Sequence, residues 1–277
     1  MGIEVHVLGT AQDGGFPHAG CSCAHCAAAW KDPSLRRRVS CVAVVGEKGK
    51  TLLVDATPDF TAQAAALAEI ARRPAPALDG ILLTHAHVGH YVGLALLGRE
   101  AMDAKKVPVT CSRQMERFLV TNRPWSHLVD RGEIEIRLIA PGETQEFDGA
   151  RINVFLSPHR GEDTDTLGIE VKGPRRTLVY VSDADVFPPG LAERILEADV
   201  ALVDGTFFSP DELPHRDILA VRHPFVRDSL ALFARSRGEI HFTHLNHTNP
   251  LLHPDPARRP ALPARFHVAR EGQSFGL

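Results

Sequence analysis

No apolar run in these 277 residues approaches the roughly 20 that cross a bilayer, so a membrane-spanning helix is not expected. An excess of one charge is missing too: 31 Lys and Arg stand against 34 Asp and Glu, a formal net charge of -3. That balance gives no general attraction to nucleic acid or to an anionic membrane. The opening Met-Gly-Ile-Glu-Val-His-Val-Leu-Gly alternates like a strand and lacks the charged-then-apolar layout of a secretory signal. Cysteine is scarce and odd in number, five in all, with three of them between positions 21 and 26. A disulfide framework does not look like that; metal binding in a reducing compartment does. These absences point to a cytoplasmic protein with a small-molecule substrate and no nucleic-acid or membrane partner, and they are compatible with a homodimer. No repeat, low-complexity tract or long linker interrupts the chain, so residues 1–277 are expected to form a single domain.

Against these absences, 44% of the residues are hydrophobic, enough for a sizeable core. Short apolar β-type runs fall at 3–8, 41–45, 51–54, 80–83, 133–139, 151–156, 167–171, 177–181, 200–203 and 240–242. Apolar residues at helical spacing mark 58–73, 113–120, 191–198 and 223–235. Two sheets with helices on their outer faces fit this order, but periodicity does not establish the layering.

The most informative stretch is Leu83-Thr84-His85-Ala86-His87-Val88-Gly89-His90, followed by Gly93. A buried-looking strand ends in a loop that delivers three histidines within six positions. Imidazole is a ligand for zinc, iron and manganese. His85 and His87, one residue apart in an extended loop, can address one ion, while His90 points elsewhere. The second unusual segment is Cys21-Ser22-Cys23-Ala24-His25-Cys26. Its three thiolates can wrap one face of a zinc ion, with a fourth ligand needed to close the tetrahedron. Such a closed site has no open position for substrate and would be structural. Cys41 and Cys111 are isolated and read as core or surface thiols.

The histidine loop resembles the His-x-His-x-Asp-His signature of the metallo-β-lactamase superfamily, and further motifs follow in that family's order. The resemblance implies a four-layer αββα sandwich of α+β class. It implies that Asp55 supports the loop and that His159 completes a first metal site with His85 and His87. Asp183 would bridge to a second site, whose last histidine is His244. The cysteine cluster resembles that of two branches, the phosphonate-pathway phosphodiesterase and pyrroloquinoline quinone biosynthesis protein B. The phosphodiesterase resemblance implies His247 as the fourth zinc ligand, with His25 and His253 as rivals. The segments Gly9-Thr10-Ala11-Gln12-Asp13-Gly14-Gly15 and Asn246-His247-Thr248-Asn249-Pro250 resemble the second branch more, although that branch lacks the first two loop histidines present here.

One position departs from the family. Its aspartate, a ligand of the second metal, is Gly89 here, so the second site is left with His90, His244 and a share of Asp183. The expectation is a mononuclear centre of zinc, manganese or iron with a weak or empty neighbour, and a Gly89→Asp exchange is expected to raise occupancy. Asp185 and Asp59 are the carboxylates considered as substitutes. Hydrolysis of a phosphodiester, ester or lactone by a metal-activated water is the leading reading, with Asp183 as base and His244 as proton donor or oxyanion ligand. Two histidines and one carboxylate also match the ligand set of non-heme iron oxygenases. A non-catalytic binder of a biosynthetic intermediate is the third reading. Two weaker features are the pair Gly14-Gly15, a turn or phosphate cradle, and the stretch with His215, Arg216, Arg222 and His223, a solvated face or the rim of an anion site.

Overall fold

Leu52, Leu53 and Val54 are all buried, yet successive side chains leave a strand in opposite directions. A strand apolar on both faces needs cover on both. Leu52 and Val54 join a core that also contains Ile152, Val154, Ile169, Leu178 and Leu202, whereas Leu53 packs with Phe60, Leu67, Leu94 and Met115. The first set lies between two sheets; the second lies between a sheet and the helices outside it. The computed structural model of the chain describes residues 2–213 and 222–277.

The first sheet holds β1 (Glu4–Gly9), β2 (Cys41–Val45), β3 (Thr51–Val54), β4 (Gly80–Leu82), β5 (Val107–Cys111) and β6 (Ile134–Leu138), with β14 (Ser274–Gly276) beside β1. The second holds β7 (Thr144–Phe147), β8 (Ala150–Leu156), β9 (Leu167–Lys172), β10 (Thr177–Val181), β11 (Val200–Asp204), β12 (Glu239–Thr243) and β13 (Phe266–Val268) in reverse spatial order. Each sheet is antiparallel on one side and parallel on the other. The change comes at β3 in the first and at β10 in the second. Helices α2 (Phe60–Ala71), α4 (Arg113–Thr121) and α5 (Trp125–Asp130) cover the first sheet, and α6 (Pro189–Glu197) and α7 (Val226–Leu232) cover the second. Two shorter helices serve the site loops: α1 (Ala24–Lys31) after the cysteines and α3 (Val88–Tyr91) in the histidine loop. The result is the αββα sandwich. No described helix is long and apolar enough to cross a membrane.

This topology gathers loops at one edge. Strands β1, β3 and β4 run the same way in their sheet, as do β8, β10, β11 and β12 in theirs. Their carboxyl ends therefore open together, where ligands commonly bind in parallel sheets. One predicted helix is shorter than expected: 223–235 contracts to Val226–Leu232. Pro224 disfavours helical geometry at His223, which leaves the histidine outside the helix. Strand β5 was not expected, because Pro108 masks its pattern. The double-sided burial gives a first prediction. Leu53→Ala should cost about 2–5 kcal/mol in a denaturant titration, and a cost below about 1 kcal/mol would contradict a packed outer layer.

Candidate metal centre

Asp55 follows β3 with φ 71°, a conformation few non-glycine residues adopt. Its carboxylate repays that strain with four contacts. It accepts from the Thr84 amide at 2.8 Å and from the Thr84 hydroxyl at 3.0 and 2.9 Å, and it lies 2.7 Å from His90 Nδ1. The loop leaving β4 is thus fixed from beneath, as the resemblance implied. Outer hydrogen bonds of this kind set the tautomer of a ligating histidine and aim its other nitrogen. Three more histidines of the site have such a partner: Thr84 Oγ1 lies 2.9 Å from His85 Nδ1, Asp185 Oδ1 2.9 Å from His159 Nδ1, and Thr206 Oγ1 2.9 Å from His244 Nδ1. His87 turns Nδ1 inward, 3.2 Å from His159 Nε2.

The inward atoms converge. Donor atoms of His85, His87 and His159 lie within 4.8 Å of one another, and so do those of His85, His90 and Asp183. Asp183 sits between the two sets. Its Oδ1 is 3.6 Å from His159 Nε2 and 3.3 Å from His244 Nε2, and its Oδ2 is 3.1 Å from His90 Nε2. His85 Nε2 is buried without a hydrogen-bond partner, and the buried His90 Nε2 and Asp183 Oδ2 approach each other without a well-directed hydrogen bond. Each such atom costs about 1–3 kcal/mol, and a shared cation satisfies all three together, so these residues fit a metal. Protonation agrees. Burial, helped by His90, holds His85 well below the usual imidazole range, and burial likewise lowers His87 and His159. Burial opposes ionisation of Asp183, but His244 and His90 outweigh it and keep the carboxyl well below its usual range. The neutral imidazoles of His85, His87 and His159 beside an anionic carboxylate are the forms that bind metal. At His90 the charges of Asp55 and Asp183 outweigh burial and raise the ring well above the usual range, so an ion there displaces a proton.

The gap expected at Gly89 is filled. Asp13, in the loop after β1, places Oδ1 3.3 Å from His90 Nε2 and 3.2 Å from His244 Nε2. The donors of Asp13, His90 and His244 form a set within 4.8 Å. Neither carboxylate considered from the sequence stands there: Asp185 holds His159, and Asp59 accepts the Val39 amide at 2.7 Å. The shortage of negative charge at the second position is thereby corrected. Asp13 carried a weak signal, lying next to Gly14-Gly15, which form a turn with Gly15 at φ 70°.

A part of the site missed from the sequence involves Asp204, at the end of β11, whose donor atom falls within 4.8 Å of those of Asp183, His223 and His244. It lies 2.7 Å from His223 Nδ1 and accepts from the Ala184 amide at 3.0 Å. The His223 ring stands 5.3 Å from that of His159 and 5.8 Å from that of His244. Burial opposes its charge, but Asp204 outweighs this and raises His223 above the usual range. His223 is therefore buried in the site and not on a solvated face, whereas His215 and Arg216 lie outside the described residues. Arg160 is close enough to weigh against protonation of both His87 and His223.

The cysteines form a separate cluster. Cys21 Sγ and Cys23 Sγ each lie 3.6 Å from His247 Nδ1, and all four donors, Cys26 included, fall within 4.8 Å. Backbone amides point at the sulfurs: Cys23 N at Cys21, Cys26 N at Cys23 and His18 N at Cys26. The rivals are engaged elsewhere, His25 Nδ1 3.0 Å from the His247 carbonyl and His253 Nδ1 3.1 Å from that of Asp255. Cys41 and Cys111 are both buried core thiols.

The sequence pattern of the Beta-lactamase superfamily domain matches residues 50–249. The chain is 29% identical to coenzyme PQQ synthesis protein B of Pseudomonas syringae pv. tomato, over 99% of this chain and 100% of that protein. Among solved structures, zinc-bound PqqB of Methylobacterium extorquens is similar at TM-score 0.84 and 26% identity, covering 99% of this chain and 100% of that one. A diphosphatase of the PhnP family is similar at TM-score 0.75 and 25% identity, covering 100% and 98%. With the histidine loop, its supporting aspartate and the sandwich all in place, this chain belongs to the metallo-β-lactamase superfamily, and it is similar to the branch that holds PqqB and the PhnP family.

Proposed function

We propose that this chain is a metal-dependent hydrolase of a small molecule carrying a phosphodiester, ester or lactone bond. The observation that carries the reading is the convergence of His85, His87 and His159 beside a buried, ionised Asp183. A divalent ion at such a set supplies a Lewis acid and a water whose pKa falls to about 7. Asp183 orients the attacking water and takes its proton. His244 directs Nε2 at Asp13 and Asp183, the arrangement of a ligand. His223, whose protonated form Asp204 favours against burial, is better suited to give a proton to the leaving group. Arg160 adds positive charge beside the site, which favours an anionic substrate. Cys21, Cys23, Cys26 and His247 would hold a structural zinc.

The likeness to PQQ synthesis protein B, together with two histidines and one carboxylate, supports oxygenase chemistry as a second reading. Metal analysis of protein purified anaerobically without added metal separates the two. Zinc or manganese with turnover of bis-p-nitrophenyl phosphate or p-nitrophenyl esters is expected. Iron with oxygen uptake and no hydrolysis would transfer the assignment to the oxygenase.

A further inference from the structure

Gly89 and Asp13 are two halves of one arrangement. A Cβ at position 89 would lie 2.4 Å from Asp13 Oδ1, 2.7 Å from Asp13 Cγ and 2.8 Å from Asp13 Cα. No side chain fits there while Asp13 is in place. The glycine that removes a carboxylate from the histidine loop also makes the room into which another carboxylate enters from a different loop.

We propose that Asp13 supplies the carboxylate that the histidine loop lacks, holding a second metal ion with His90, His244 and Asp183 beside the ion at His85, His87 and His159. Two observations support a ligand role over a simple ion pair. His90 Nε2 is fully buried and makes no well-directed hydrogen bond although Asp13 lies 3.3 Å and Asp183 3.1 Å away, so two anionic oxygens and two imidazole nitrogens gather around a point none of them fills. Asp13 is also aimed by its backbone. The Gln12 amide donates to the Leu245 carbonyl at 3.0 Å, and the Leu245 amide donates to the Thr10 carbonyl at 2.9 Å. These bonds join the loop carrying Asp13 to the turn carrying His244. A few residues further along both segments, Cys21 and Cys23 meet His247. The cysteine cluster and the pair Asp13–His244 thus tie together the same two pieces of chain, and a structural ion in the cluster would fix the spacing of the second catalytic pair.

The inference rests on the reading of the site as a metal centre, but not on hydrolysis, and its test reads metal directly. The probe is Mn(II), loaded into the wild-type chain, Asp13→Asn and Gly89→Asp, with ions counted by mass spectrometry and spins by electron paramagnetic resonance. The wild type is expected to show an exchange-coupled pair, and Asp13→Asn to lose about one ion per chain and show an isolated Mn(II) signal. Asn keeps the shape of the side chain, and an unchanged melting curve of the metal-free protein confirms that the fold is kept. Gly89→Asp should bind no more metal than the wild type, because its Cβ displaces Asp13. An isolated Mn(II) signal in the wild type, full occupancy in Asp13→Asn, or an added ion in Gly89→Asp would each overturn the proposal. Loss of hydrolysis with the coupled pair intact would count against the proposed reaction alone.

Discussion

Asp183→Asn is expected to lower kcat on the order of 10³-fold, the scale of losing a general base or a buried charge-stabilising group. The carboxylate reaches three histidines on three different loops, within 3.1 Å of His90, 3.3 Å of His244 and 3.6 Å of His159. A neutral amide keeps the volume but removes the charge that offsets a divalent ion and the base that takes a proton from water. Its backbone is held apart from that chemistry, since the Ser157 hydroxyl donates to the Asp183 carbonyl at 2.6 Å. The fold should therefore survive, and near-wild-type secondary structure by circular dichroism would show that it does. Activity within about tenfold of wild type would remove Asp183 from the reaction.

Cys23→Ser is expected to release one zinc per chain and to lower stability by about 3 kcal/mol, a fall in Tm on the order of 10 °C. Small zinc fingers unfold outright without metal. This chain has three apolar cores of its own, so the loss should be local to the N-terminal segment and the His247 turn. Cys23 also caps α1, its sulfur accepting the Cys26 amide; serine is a favoured N-cap, so the substitution keeps that role and the loss of stability reads the ion. Cys111→Ser serves as the control. It removes a buried thiol in the first sheet and should leave the zinc content unchanged. His85→Ala should likewise keep the cysteine-bound ion. Full zinc content and an unshifted Tm in Cys23→Ser would exclude the structural role.

Much of the architecture was legible because apolar strands have a short period and long enough runs. The spans Cys41–Val45, Thr51–Val54 and Thr177–Val181 form as their composition predicts. The histidine loop was legible for a related reason: His85, His87 and His90 lie within six positions, so local spacing already limits where their side chains go. The sequence resemblance then pointed to His159, Asp183, His244 and His247, and the fold brings each of them to its expected cluster.

Asp13 and His223 were not legible in the same way. Asp13 leaves the end of β1, which reaches β4 only through β2 and β3, and nothing in its neighbours along the chain refers to Gly89. His223 looked like part of a helix, but the helix starts only after Pro224 and the ring meets Asp204 inside the site. The sequence by itself determined most of the elements and the donors that share a loop, because those depend on short-range periodicity and local geometry. Only the tertiary structure decided which distant loops supply the remaining donors, because a coordination shell depends on distances in space, and strand order and direction set those distances.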